Sequence, residues 1–145
     1  MAKQTDSTAS THWEGDLKRG SGTTTLDTST AATFEMGWAA RETAGTGHTN
    51  PEELLAAAYA TCYSMALADA LAQDGCPPTS IDTTVTIGFV PGTGITGAKI
   101  NVTGVVPGLS EDAFVTKADW TKDNCPVGKA LAALDKEVTA HLAAK

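Results

Sequence analysis

Two of the three cysteines in this 145-residue chain sit where a sulfur atom could do chemistry. Cys62 lies inside the run from Asn50-Pro51-Glu52-Glu53-Leu54-Leu55 to Tyr59-Ala60-Thr61-Cys62. The run is so apolar that the thiol is expected to be buried. Cys125 opens Cys125-Pro126-Val127-Gly128, where a proline at the first helical position would leave unpaired backbone N–H groups beside the sulfur, a setting that favours thiolate. Thiolate is the nucleophilic form. Mid-helix, Cys62 receives no help from a helix N-terminus, so its activation requires a cation held close by. Taken alone, Cys62 reads as core packing, because free Cys is among the most buried residue types. The two settings together make the pair a candidate for redox chemistry. Cys76, beside Pro77-Pro78 at a helix end, reads as filler.

The elements that must position these thiols follow from periodicity and capping. Thr11 to Leu17, Gly22 to Thr28 and Phe34 to Ala40 read as three short strands of an antiparallel meander, the last with Phe34, Met36 and Trp38 at period two. Arg41 to Thr49 reads as a Gly/Thr-rich loop. Asn50 then suits an N-cap and Pro51 the first helical position, with Glu53 placed to complete a capping box. The helix should run to about Asp74, where Gly75-Cys76-Pro77-Pro78 ends it, making it roughly 36 Å long at 1.5 Å per residue. Its apolar and Ala positions go nearly all round, so it needs cover on every side, and a dimer with two such helices packed at its centre would supply it. Ile81 to Val90 and Ile95 to Val106 read as strands joined by a turn at Pro91 to Gly94. Ser110 starts a helix running to about Lys122. Lys129 to Leu134 reads as a short helix, and Val138, Ala140 and Leu142 alternate as an edge strand would.

The expected organisation is a disordered tail over residues 1–10 and a single domain over 11–145. With 17 acidic against 10 basic residues and a net charge of −7, nucleic acid and anionic membranes are disfavoured as partners. Leu54 to Ala68 is too short for a membrane span, and the polar first eleven residues lack the apolar core of a secretory signal, so a cytoplasmic location with reduced thiols is expected. Gly92-Thr93-Gly94-Ile95-Thr96-Gly97 matches a dinucleotide-binding pattern, but a strand-like segment follows it where a helix is needed, so it reads as a hairpin loop. His12, His48 and His141 lack metal-ligand spacing.

Several long blocks in order give the chain a specific resemblance from Thr11 to its C-terminus. They are His12-Trp13-Glu14-Gly15-Asp16-Leu17-Lys18-Arg19-Gly20; Thr49-Asn50-Pro51-Glu52-Glu53-Leu54 leading to Cys62-Tyr63-Ser64-Met65-Ala66-Leu67; Pro78-Thr79-Ser80-Ile81-Asp82-Thr83-Thr84; and Asn124-Cys125-Pro126-Val127. In these blocks the chain resembles the OsmC/Ohr family of osmotically inducible and organic hydroperoxide resistance proteins, specifically the OsmC branch. The resemblance implies an α+β fold built as an intertwined homodimer, with antiparallel sheets wrapped around two long central helices and active sites at the interface. It implies a thiol peroxidase that reduces organic hydroperoxides to alcohols with no metal or bound cofactor and an external dithiol, a lipoyl group by analogy, as reductant.

By the same resemblance Cys62 is the peroxidatic thiol and Cys125 the resolving one. Arg41 is the cation that holds Cys62 as thiolate, with Arg19 its rival because the Ohr branch places its Arg in the first hairpin, and Glu52 orients the Arg. Glu52 precedes Cys62 by ten residues, about 15 Å along a helix and on another face. Arg41 and Glu52 are therefore expected to serve the partner subunit's site. Phe34, Met36, Trp38 and Tyr63 are candidate pocket walls. The competing readings are a non-catalytic dimeric ligand-binding protein on the same fold and a thiol redox sensor.

Overall fold

The computed structural model describes residues 2–144. They divide into two compact units, one ending at Pro51 and one beginning at Glu52.

The first unit holds β1 (Ala9–Glu14), β2 (Ser21–Leu26), β3 (Thr33–Gly37) and the single helical turn α1 (Ala39–Glu42). The three strands form the expected antiparallel meander in the order β1-β2-β3. β1 starts ahead of Thr11 and ends before Leu17, because the chain reverses at Gly15 with φ of 89° and a hydrogen bond from Gly20 N to Asp16 O of 2.8 Å. Gly22 is needed on β2, where an added Cβ would sit 2.9 Å from the Trp13 ring. Beyond Gly37 the chain turns helical instead of continuing as a strand to Ala40. Arg41 accordingly lies on α1 and not in a loop.

The second unit contains α2 (Pro51–Gln73), β4 (Ser80–Val90), β5 (Gly94–Val105), α3 (Glu111–Asn124), α4 (Pro126–Ala130) and β6 (Lys136–Leu142). α2 ends in a Schellman arrangement: Gly75, at φ 83°, donates to Ala72 O, and Cys76 N donates to Leu71 O at 2.9 Å. Ser110 caps α3 by accepting from Ala113 N at 3.2 Å. The sheet order is β4-β5-β6. β4 and β5 form an antiparallel hairpin whose turn holds Gly92 and Gly94 at positive φ, the loop that mimics a dinucleotide fingerprint. β6 is an edge strand as expected, but it runs parallel to β5, so this sheet is mixed rather than wholly antiparallel. The cause is the α3–α4 crossover, which returns the chain to the end of the sheet where β5 began.

One core serves this unit. Tyr59, Tyr63, Leu67 and Leu71, spaced four apart on α2, are buried with Ala98, Ile100 and Val102 of β5, Phe114 and Ala118 of α3, and Cys125. Gly104 has no side chain because the Phe114 ring lies where its Cβ would be. α2 is longer than the apolar run read from sequence and has the length and composition to cross a membrane. Its buried stripe, and the two tyrosine hydroxyls that it sends into α3, tie it to a protein core instead. Its opposite side stays uncovered, with Met65 69% exposed.

Candidate active site

Cys125 sits at the elbow between two helices, ending α3 and capping α4. Its own N–H closes α3 on Thr121 O at 3.1 Å. Its sulfur accepts from Gly128 N at 3.2 Å, as an N-cap side chain does from the third helical residue. The next carbonyl of α3, on Lys122, would ordinarily receive the N–H of residue 126, but Pro126 has none. Tyr59 fills the gap: its hydroxyl donates to Lys122 O at 2.6 Å. One turn along α2, Tyr63 donates to Ala118 O at 2.7 Å. Both phenols are pushed well above their ordinary value of 10.0 by burial.

Between these tyrosines in sequence, Cys62 projects from α2 toward the elbow. Its sulfur accepts from Val127 N at 3.5 Å, and it lies near enough to Cys125 to raise that thiol. Consecutive N–H groups in the first turn of α4 thus point at two different sulfurs. Cys62 is half-buried, not fully enclosed as its surroundings in sequence suggest, whereas Cys125 is 0% exposed. The expectation that Cys125 favours thiolate is also reversed. Burial pushes its thiol up, and the neighbouring Cys62 adds to that, outweighing the opposing hydrogen bond from Gly128. One backbone donor reaches the Cys62 sulfur from outside its own helix, the N–H of Val127 on α4.

This arrangement suits oxidation of two thiols to a disulfide by an external oxidant: one accessible sulfur and one sheltered, protonated sulfur are brought to the same elbow. Cys76 is half-buried against the core and takes no part in the pair. Among the described residues no group of three or more His, Cys, Asp or Glu side chains is arranged to hold a metal ion.

Residues 43–139, more than half the chain, match the family model described as OsmC-like protein. The sequence is 39% identical over 125 residues to Peroxiredoxin OsmC of Escherichia coli, covering 84% of this chain and 87% of that one. The chain belongs to the OsmC-like family. Within that family it is also 38% identical over 95 residues to an organic hydroperoxide resistance protein of Xanthomonas axonopodis, covering 62% of this chain and 66% of that one. The OsmC fold is matched along nearly the whole length by the crystal structure of an OsmC-like protein from Mycoplasma pneumoniae, with TM-score 0.67, 20% identity, and coverage of 99% of this chain and 100% of that one.

In the first unit, Arg41 lines a pocket of about 240 Å³ with Trp13, Met36, Trp38 and Asn50. Two of the aromatic and thioether walls expected from sequence, Met36 and Trp38, are there; Tyr63 belongs instead to the core of the second unit, because its ring is fully buried and its hydroxyl bound to α3. Lys18 stacks over the Trp38 ring at 4.3 Å and pairs with Glu42 at 3.1 Å, and hydrogen bonds from Trp38, then Lys18, hold the Glu42 carboxyl below its usual range. Asn50 donates its amide to Ala40 O at 2.8 Å. The rival cation, Arg19, is exposed in the β1–β2 turn with its guanidinium on Asp16 at 2.8 and 3.0 Å. In the second unit, Glu52 is 5% exposed in the first turn of α2. Sequence reasoning anticipated backbone donors beside Cys125 but missed Tyr59 and the reach of the Val127 N–H to Cys62. The Cys-Pro pair does signal an N-cap, but nothing local says that the second donor reaches a sulfur 65 residues earlier.

Proposed function

We propose that this OsmC-like protein is a thiol peroxidase that reduces organic hydroperoxides to alcohols. The observation that carries the reading is that half-buried Cys62 and fully buried Cys125 meet at one elbow, where the consecutive N–H groups of Val127 and Gly128 reach the two sulfurs. Cys62 attacks the terminal peroxide oxygen, breaking the O–O bond; the alcohol leaves and the sulfur becomes a sulfenic acid. Cys125, kept as thiol by its burial, attacks that sulfur; a disulfide forms and water departs with the Cys125 proton. An external dithiol reduces the disulfide and is itself oxidised to a disulfide, and a lipoyl dithiol fits this role by family resemblance. The names of the two curated relatives, a peroxiredoxin and an organic hydroperoxide resistance protein, support the same reaction.

Arg41 is the preferred cation for Cys62, because it borders an aromatic-walled pocket, with Arg19 its rival. Its guanidinium would favour the thiolate and take up charge on the departing oxygen. Glu52 starts the helix that carries Cys62, about 15 Å before it along the axis, which is too far to serve that sulfur. We infer a homodimer in which Arg41 and Glu52 complete the partner subunit's site. The uncovered apolar side of α2 supports this assembly. A cytoplasmic setting would keep all three thiols reduced between turnovers.

The test is a peroxidase assay over alkyl and lipid hydroperoxides and hydrogen peroxide, with dithiothreitol or dihydrolipoamide, on wild type, Cys62→Ser and Cys125→Ser. Cys62→Ser should abolish turnover, Cys125→Ser should impair dithiol-driven turnover, and organic hydroperoxides should be preferred. Unimpaired turnover in Cys62→Ser defeats the proposal.

A further inference from the structure

The elbow that carries Cys125 is held by a buried cation outside it. Lys136, the first residue of β6, has a side chain only 3% exposed. Its ammonium donates to Asp123 Oδ1 at 3.0 Å and to Gly128 O at 3.0 Å. Asp123 lies two residues before Cys125 on the last turn of α3, and Gly128 three residues after it on α4. One ammonium therefore bridges the two arms of the elbow and ties both to the edge strand. The Asp123 carboxyl is held below its usual range by this lysine first and by Lys122 second. A long, flexible, charged side chain is an expensive choice for a buried position. A merely apolar filler would not fix Asp123 and Gly128 to each other.

We propose that Lys136 is a positioning residue for the resolving step: by clamping Asp123 to Gly128 it holds the Cys125 sulfur against Cys62 and keeps the N–H groups of Val127 and Gly128 on the two sulfurs. This rests on the peroxidase reading above. Once Cys62 is a sulfenic acid, two reactions compete. Attack by the Cys125 thiol forms the disulfide and releases water. Attack by the sulfenic acid on a second hydroperoxide forms the sulfinic acid and a second alcohol. The first is intramolecular and depends on alignment; the second depends on hydroperoxide concentration. Loosening the elbow slows only the first.

The experiment oxidises the full-length protein with graded excesses of cumene hydroperoxide and counts, by mass spectrometry, the fractions of Cys62 in the disulfide and as sulfinic acid. Lys136→Met should shift that partition toward sulfinic acid by roughly tenfold at a given excess, and Lys136→Arg should restore most of it. Asp123→Asn cuts the same clamp at an exposed group and should shift it the same way, which covers the case in which Lys136→Met does not fold. Tyr63→Phe, which destabilises the core without touching the clamp, should leave the partition unchanged. Equal partition in wild type, Lys136→Met and Asp123→Asn overturns the proposal, as does an equal shift in Tyr63→Phe. A wild type that forms no Cys62–Cys125 disulfide overturns the peroxidase reading as well, so the two failures are distinguishable.

Discussion

Cys125 Sγ accepts from Gly128 N at 3.2 Å, yet its thiol is raised because desolvation, with the neighbouring Cys62 adding to it, outweighs that donor. A buried, protonated sulfur suits the resolving role proposed for Cys125. The expected outcome in the reduced protein at pH 8 is that iodoacetamide alkylates Cys125 at least about tenfold more slowly than Cys62, read peptide by peptide. The buried phenols give a second residue-scale prediction. Tyr59 and Tyr63 hold their protons more tightly folded than unfolded, so their contribution to stability is complete below the ordinary value of 10.0 and is lost as pH rises above it toward the folded values. The melting temperature should therefore fall above about pH 10, with tyrosinate absorbance appearing together with unfolding. Tyr59→Phe should cost about 1–3 kcal/mol in denaturant titration, because Lys122 O then has no donor and Pro126 cannot supply one. At this scale the sequence names both sulfurs but misjudges their environments. The donor that reaches Cys62 comes from a segment 65 residues away, and local context carries no record of it.

Capping and periodicity make most elements legible. Pro51, Gly75 and Ser110 mark helix ends that the structure reproduces within a few residues. The alternation in β5 puts Ala98, Ile100 and Val102 inward, and spacing of four on α2 selects Tyr59, Tyr63, Leu67 and Leu71. Two features escape such reading. α1 is a single turn, too short to leave a period in sequence. The direction of β6 is set by the crossover that precedes it, and alternation within a strand is blind to the direction of its neighbour. Leu67 is 0% exposed at the centre of the core. Leu67→Ala is expected to cost about 2–5 kcal/mol, measured by urea unfolding, and Ser110→Ala about 1 kcal/mol through loss of the α3 cap.

For the whole molecule, the homodimer proposed above would seat a second copy of the chain on the side of α2 opposite its buried stripe. Met65→Glu, which places a charge on the uncovered side of α2, should move the protein from dimer to monomer in sedimentation velocity, and peroxidase activity should fall with it if sites are shared. Subunit mixing addresses the sharing: a Cys62→Ser chain combined with an Arg41→Ala chain should regain roughly a quarter to half of the sites. The Cys62–Cys125 chemistry can be tested independently of the assembly. Reduced protein treated with one equivalent of cumene hydroperoxide per chain, then digested without reductant and mapped by mass spectrometry, should yield the Cys62–Cys125 disulfide with one alcohol released per disulfide formed. Cys62 and Cys125 left unlinked, or either one joined instead to Cys76, would contradict it.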